Sequence, residues 1–511
     1  MNNAPTPTLP QPGWGREHDS EPAPGLAGGG QGGGFVVLAL VVVLTLARIW
    51  LLALDRYDLS GDEAQYWVWS LSPELGYYSK PPLVAWIIGA STHLFGDGTF
   101  GVRLASPIAH GLTALLLYAA GRRLYGPRVG AWSAILYATL PAVFLSSLLI
   151  STDPFLLLFW AAALYAGVRL IEDGKARWWL LLGLAVGLGM LAKYAMAMFP
   201  VGLALFFALS PGERRALSWR GPALAVAIAV LFYLPNLVWN LQHGFVSYRH
   251  TADNANLSGA LSSPFNGVEF LLSQFGVFGP IPFAILLLAL ARPRLLVADR
   301  RSRLLLCVFA PLALMMVVVA FLSRANANWA APLYVSATVL VAAWAVGRGR
   351  DWLLSLAVAM HLAAAGLMAG YHDLVRLTGI ELSARTDPFK RLEGWRPLGA
   401  DIARELAKHP GAVLLMEDRM DLATMIYWAR PTAWAKWNPS GRIRDHWDLT
   451  ADLRDRAGAT VLLATPTRTP DDITSRFDKA TPLGTAGRPL YRDVDRTHHL
   501  FLLEGFRGYE R

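Results

Sequence analysis

The sequence predicts an α-helical polytopic membrane protein that carries a small α/β domain at its C-terminal end. Three observations predict it. Apolar residues make up 54% of the 511-residue chain and charged residues only 16%, against about 25% charged in a soluble domain. The apolar residues fall in long runs between Phe35 and about Gly370. After Gly370 the composition returns to that of a soluble protein, with helical and strand-like segments in alternation.

This balance excludes a disordered chain, an ordinary cytosolic enzyme, and a nucleic-acid module built on basic patches. The formal charge of +9, from 46 Lys+Arg against 37 Asp+Glu, is therefore read as a membrane-orientation signal, and no nucleic-acid partner is expected. The single cysteine, Cys307, lies inside an apolar run, so neither an intrachain disulfide nor a cysteine-based metal site is expected.

Residues 1–34 hold nine Gly and six Pro and have no apolar periodicity. They cannot bury enough surface to offset the entropy of ordering, and a disordered cytoplasmic tail is expected there. The first apolar run ends in Leu51-Leu52-Ala53-Leu54-Asp55-Arg56 without a small-residue cleavage site, which favours an uncleaved helix over a signal peptide.

A hydrocarbon core of roughly 30 Å asks for about 20 apolar residues per span. Eleven spans are expected, at 35–54, 103–121, 129–150, 155–171, 178–192, 194–210, 222–240, 268–290, 304–322, 332–347 and 351–370. Loops after even-numbered spans then carry fifteen basic residues and loops after odd-numbered spans six, which sets the first group in the cytoplasm. Pro82–Phe95 is apolar but short and reads as an interfacial helix. The stretch 178–210 reads as two short helices turning at Lys193, because one long helix would bury that ammonium in hydrocarbon. The chain is thus divided into the tail 1–34, a membrane domain 35–370 with a first outer loop at 55–102, and an outer domain 371–511. In the last, helices are expected at 397–409 and 421–430 and strands at 412–416 and 460–464.

The outer loops have little positive charge but hold the chemically unusual residues. Asp62-Glu63 opens a helix bearing Tyr66, Trp67 and Trp69. A carboxylate at a partly dry interface serves as a general base because lost solvation raises its pKa; a helix cap is the competing reading of Asp62. Lys80 precedes Pro81-Pro82, so a stiff backbone holds its ammonium. With Arg249 and Arg324 on other outer loops it fits a phosphate clamp, although interfacial snorkelling also accounts for a lone lysine. Asp153, in Ser151-Thr152-Asp153-Pro154, is a second carboxylate at the membrane edge, with helix capping again the alternative. The loop at 240–267 holds a dense polar set suited to sugar hydroxyls. Asn326, Asn328 and Trp329 offer two amides and a stacking ring. No His-x-x-x-His pair occurs on these loops, so no transition-metal site is expected; a carboxylate-bound divalent cation stays open as a cofactor. Acids, amides, aromatics and fixed cations on one face fit transfer of a sugar from a lipid-phosphate donor.

The stretch Asp62-Glu63-Ala64-Gln65-Tyr66-Trp67 … Gly76-Tyr77-Tyr78-Ser79-Lys80-Pro81-Pro82 resembles the GT-C glycosyltransferases of the family-39 and family-83 types. These include protein O-mannosyltransferases and the aminoarabinose and galacturonic acid transferases that modify lipid A. The resemblance continues through Arg103-Leu104, Gly121–Gly126, Ser151–Pro154, Leu191–Tyr194, Asn326–Trp329 and Arg391–Trp395. It implies an inverting transferase in the bacterial inner membrane. Such an enzyme uses a polyprenyl-phosphate sugar at the periplasmic face and acts on a glycolipid, polysaccharide or protein acceptor, with the C-terminal domain in the periplasm. It further implies catalytic roles for Asp62, Glu63 and Asp153, with Asp62 the base, and donor-phosphate contacts from Lys80 and Lys193. Arg249 and Arg324 join that set by charge and topology alone. Tyr66, Tyr77, Tyr78, Tyr194, Asn326, Asn328 and Trp329 complete the expected substrate pocket. The alternative is a transporter or flippase of lipid-linked sugars, which would bind at the bilayer midplane between inverted repeats; no internal repeat is visible.

Overall fold

The computed structural model describes residues 31–254 and 264–509. The expected disordered tail lies outside the described residues up to residue 30, whereas residues 31–34 already belong to the first helix, Gln31–Ala53.

Each predicted span falls on a helix, but the expected count of eleven is not reproduced. Among the described residues six helices are long and apolar enough to cross a bilayer, or seven if the bent pair Pro127–Thr139 and Pro141–Ser147, at 57°, is one span. The others are shorter than a bilayer crossing asks: Ala176–Ala192, Tyr194–Ala208 and Leu333–Val346. The stretch expected as one span at 268–290 is two helices, Pro264–Val277 and Pro280–Leu290, broken at Gly279 with φ +87°. Pro280 cannot donate to a helix running through it, which forces the break. The turn expected at Lys193 is present: its backbone is extended, φ −160° and ψ 136°, between the two short helices.

Pro82–Phe95 forms the helix Leu83–Phe95. Before it the outer loop builds the helix Gly61–Leu71 through a capping box. Ser60 is the N-cap, its hydroxyl accepting from the Glu63 amide while Glu63 Oε2 accepts from the Ser60 amide at 2.9 Å. Asp62 is therefore not the cap. Gly76 lies against the Trp239 ring, which a Cβ there would enter at 2.4 Å.

The C-terminal domain is a five-stranded sheet covered by helices. Its strands are β1 (Val413–Met416), β2 (Trp434–Lys436), β3 (Val461–Thr465), β4 (Phe477–Tyr491) and β5 (Val494–Phe506). They lie in the order β2-β1-β3-β5-β4, with β1 parallel to β2 and β3, and β5 antiparallel to β3 and β4. The four predicted elements are present as Trp395–Lys408, Val413–Met416, Arg419–Ala429 and Val461–Thr465; the long β4–β5 hairpin carries no strong alternation and was not foreseen.

This domain sits directly on the first outer loop. Asp58 Oδ2 accepts from the backbone amides of Trp395 and Arg396 at 2.9 and 3.1 Å, capping their helix from another part of the chain. Trp67 meets Tyr427 edge-on at 4.9 Å, the Arg430 guanidinium lies 4.0 Å over the Trp67 ring, and the Tyr427 hydroxyl donates to the Asp97 carbonyl at 2.8 Å. The loop residues 55–82 are thus clamped between the membrane helices and the sheet domain, which fixes what they present.

Candidate active site

Two networks, one buried and one partly exposed, hold the first outer loop and the ends of the neighbouring helices, and they sort the predicted residues. The first is built on Glu63, 1% exposed, whose oxygens take the Arg103 guanidinium in a two-point pair at 2.7 and 2.8 Å. Glu63 Oε1 also accepts from the Ile150 amide at 3.0 Å, and Arg103 donates to the Tyr57 and Asp58 carbonyls. A carboxylate so fully bonded has no lone pair left for a substrate proton. The catalytic expectation for Glu63 is corrected to a structural one: it ties the outer loop to the end of the third predicted span.

The second network is built on Asp153. Thr152, not Asp153, is the N-cap of the helix Asp153–Asp173, so the carboxylate is not committed to capping. It takes Lys193 Nζ at 2.6 Å on Oδ1 and Asn328 Nδ2 at 2.9 Å on Oδ2. Three segments far apart in sequence meet there.

Asp62 and Lys80 stand beside this network and differ from it in one respect: neither side chain makes a hydrogen bond or ion pair with a described residue. Asp62 is exposed. The Lys80 ammonium feels Lys193, Asp62, Asp153 and Arg419, and burial followed by the Lys193 charge lowers its pKa from the ordinary lysine value. Tyr66 is buried among the same groups, and desolvation followed by the Asp62 charge raises its phenol well above the usual range, which keeps the proton on its oxygen. Tyr78 is half-buried with its ring 5.1 Å from His250. Burial, then Lys80 and Arg419, lowers His250 to about 4, so this imidazole is neutral near pH 7.

The remaining expectations divide. Tyr194 reaches Asn236 and Asn240 at 3.4 Å and packs on Tyr248 at 4.8 Å. Asn326 is exposed as the N-cap of the short turn Ala327–Ala330, and Trp329 is half-buried on the core. Tyr77 is 1% exposed, stacked on Trp69 at 4.4 Å, and its hydroxyl donates to the Trp69 carbonyl at 2.9 Å. Its expected substrate role is corrected to packing, since no face of the ring is open. Arg249 and Arg324 are exposed and make no ion pair with a described residue. Arg419, at the start of the helix Arg419–Ala429, was missed; its signal was the shared boundary of a predicted helix and strand, which carries no chemistry until the domain is docked.

For a divalent cation, the metal-like grouping among the described residues is His372, Asp387 and Glu393. Both nitrogens of His372 face these carboxylates, at 3.0 and 3.2 Å, and the Tyr491 hydroxyl donates to both acids. The set reads as a closed hydrogen-bonded network within the C-terminal domain.

Residues 79–239 match the family described as dolichyl-phosphate-mannose-protein mannosyltransferase. The chain is 42% identical over 308 residues to the lipid A galacturonosyltransferase RgtD of Rhizobium johnstonii, covering 60% of this chain and 64% of that one. It is 32% identical over 212 residues to an undecaprenyl phosphate-alpha-4-amino-4-deoxy-L-arabinose arabinosyl transferase of Pseudomonas fluorescens, over 39% and 38% of the two chains. The crystal structure of ArnT from Cupriavidus metallidurans bound to undecaprenyl phosphate superposes with a TM-score of 0.63 at 16% identity, over 92% of this chain and 98% of that one. The chain is thus similar in sequence to sugar transferases over part of its length and shares the fold of ArnT. The sequence match spans less than two thirds of the length of these two relatives; Lys80, Asp153 and Lys193 lie inside the family match at 79–239.

Proposed function

We propose that this protein is a membrane glycosyltransferase that moves a sugar from a polyprenyl-phosphate donor to lipid A on the periplasmic face of the bacterial inner membrane. One observation carries the reading: the Asp62 carboxylate and the Asp153–Lys193 pair lie within electrostatic reach of the Lys80 ammonium, and neither Asp62 nor Lys80 bonds to a described residue. An acid without a partner is free to take a proton, and a cation without a partner is free to take an anion. The printed functions of the relatives, transfer of galacturonosyl and aminoarabinosyl groups, and the undecaprenyl phosphate in the structural neighbour, support a lipid-phosphate donor. The fifteen-to-six bias in loop charge supports an outward-facing pocket.

In this mechanism the Asp62 carboxylate accepts the acceptor hydroxyl's proton as that oxygen attacks the anomeric carbon from the face opposite the phosphate. The new C–O bond forms, the bond from the anomeric carbon to the phosphate oxygen breaks, and the configuration inverts. The charge that gathers on the departing polyprenyl phosphate falls beside Lys80. Asp153, Lys193 and Asn328 hold the pocket wall, and the Tyr66 phenol, protonated throughout, donates a hydrogen bond. The transferred sugar is proposed to be a uronic acid, on the galacturonosyl relative. The protein in proteoliposomes, given a labelled polyprenyl-phosphate galacturonosyl donor and lipid A, is expected to yield labelled lipid A. Movement of intact donor across the bilayer without transfer would overturn this in favour of a flippase.

A further inference from the structure

The sheet domain contributes a charge of its own to the pocket. Arg419 opens the helix Arg419–Ala429, whose N-cap Asp418 accepts from the Met420 and Asp421 amides at 2.7 and 3.1 Å. The Arg419 carbonyl accepts from the Trp447 indole at 2.9 Å. A Cβ on Gly61 would stand 2.6 Å from Met420 Cβ, so this helix start is pressed onto the turn that presents Asp62. The Arg419 charge reaches Tyr66, Tyr78, Lys80 and His250. Its guanidinium nevertheless makes no hydrogen bond or ion pair with a described residue, unlike Arg103 and Arg396, which are paired with Glu63, Asp55 and Asp58.

The charges of the pocket then balance in a telling way. Asp153 and Lys193 neutralise one another at 2.6 Å, and His250 is uncharged near neutrality. Asp62 is needed as a base. Among the charges named as bearing on Lys80, two cations are then left with no described partner, Lys80 itself and Arg419. A sugar linked to a polyprenyl monophosphate has one negative charge at its phosphate, which matches Lys80. The second cation fits a second anion on the same ligand, and the planar fork of a guanidinium matches a carboxylate at two points where an ammonium does not.

We propose that Arg419 pairs with a carboxylate borne by the transferred sugar, so that the C-terminal domain selects uronic acid donors. This rests on the glycosyltransferase reading above and goes beyond it by naming the residue that reads the sugar.

The test uses the full-length protein in proteoliposomes with lipid A and two donors that share the polyprenyl phosphate and differ only at C6, galacturonosyl and galactosyl. Arg419→Gln is expected to lower kcat/KM for the galacturonosyl donor about 10- to 100-fold, chiefly through KM. It is expected to change the galactosyl donor by less than about threefold. Arg419→Lys is expected to recover part of the loss. An equal fall with both donors would reassign Arg419 to an acceptor phosphate or to docking of the domain, and would overturn the proposal. Unchanged use of the galacturonosyl donor by Arg419→Gln would overturn it as well. Should Arg419→Gln fail to fold, as judged by its size-exclusion profile, the same donor comparison on Arg419→Lys decides. Transfer of neither donor by the native protein overturns the functional reading itself, whereas native transfer with an indifferent Arg419→Gln overturns only the pairing with the sugar.

Discussion

Lys193 Nζ lies 2.6 Å from Asp153 Oδ1, across the turn that separates two short membrane helices. The pair fastens that turn to the start of the helix Asp153–Asp173, and Asn328 closes the third side. Each group compensates a charge that the other would leave at the membrane edge. Lys193→Met and Asp153→Asn are each expected to lower stability by roughly 1–3 kcal/mol, while the double variant loses less than the sum. Thermal unfolding in detergent, read as a double-mutant cycle, checks this; strictly additive losses would mean the pair is not coupled.

Asp62→Asn is expected to abolish sugar transfer while leaving unfolding unchanged, since the Asp62 side chain bonds to no described residue. Radiolabel transfer and the unfolding midpoint, measured on the same preparation, separate the two effects. Retained transfer would remove the general-base role.

Glu63→Gln is expected to behave in the opposite way. It breaks a two-point pair whose side chains are 5% and 1% exposed, and a buried pair broken on one side costs about 3–5 kcal/mol. The variant should lose its folded protein at lower temperature, and a stable but inactive Glu63→Gln would return Glu63 to the chemistry.

Lys80 gives the pH dependence. Its pKa is lowered by burial first and by Lys193 second, so it loses its proton at a lower pH than an ordinary lysine. Donor affinity, which needs the charged form, is then expected to fall as pH rises through that lowered value. Lys80→Arg should move this alkaline limb upward because guanidinium does not titrate there. Donor KM against pH for the two proteins reads it, and superimposable alkaline limbs would discard the phosphate contact.

Gly61→Val would press a side chain into Met420. The expected result is loss of transfer together with faster proteolysis between the membrane and sheet domains, while the helix bundle keeps its protease-resistant fragments. An unchanged digestion pattern would show that the interface yields without parting.

Much of the fold was open to reading because it depends on local properties. Long apolar runs give membrane helices wherever they fall, and the Lys193 turn followed from the cost of an ammonium in hydrocarbon. Helix breaks were less legible: 268–290 reads as one apolar run by hydropathy, yet Pro280 ends the first helix and the chain turns at Gly279. For the site, residue types and loop positions singled out Asp62, Lys80 and Asp153, and the family resemblance added Lys193. They gave no way to tell Asp62 from Glu63, which are adjacent and chemically alike.

By itself, then, the sequence determined a membrane bundle with a sheet domain after it, and a group of outer-loop acids and cations. Tertiary structure decided which of these are free. Glu63 is bonded to Arg103, 40 residues away, Tyr77 is stacked shut, and Arg419 arrives from the sheet domain beside Lys80. The reason is physical: whether a charge is available depends on the partners that folding brings within reach, and those partners are set by contacts between distant segments rather than by neighbours along the chain.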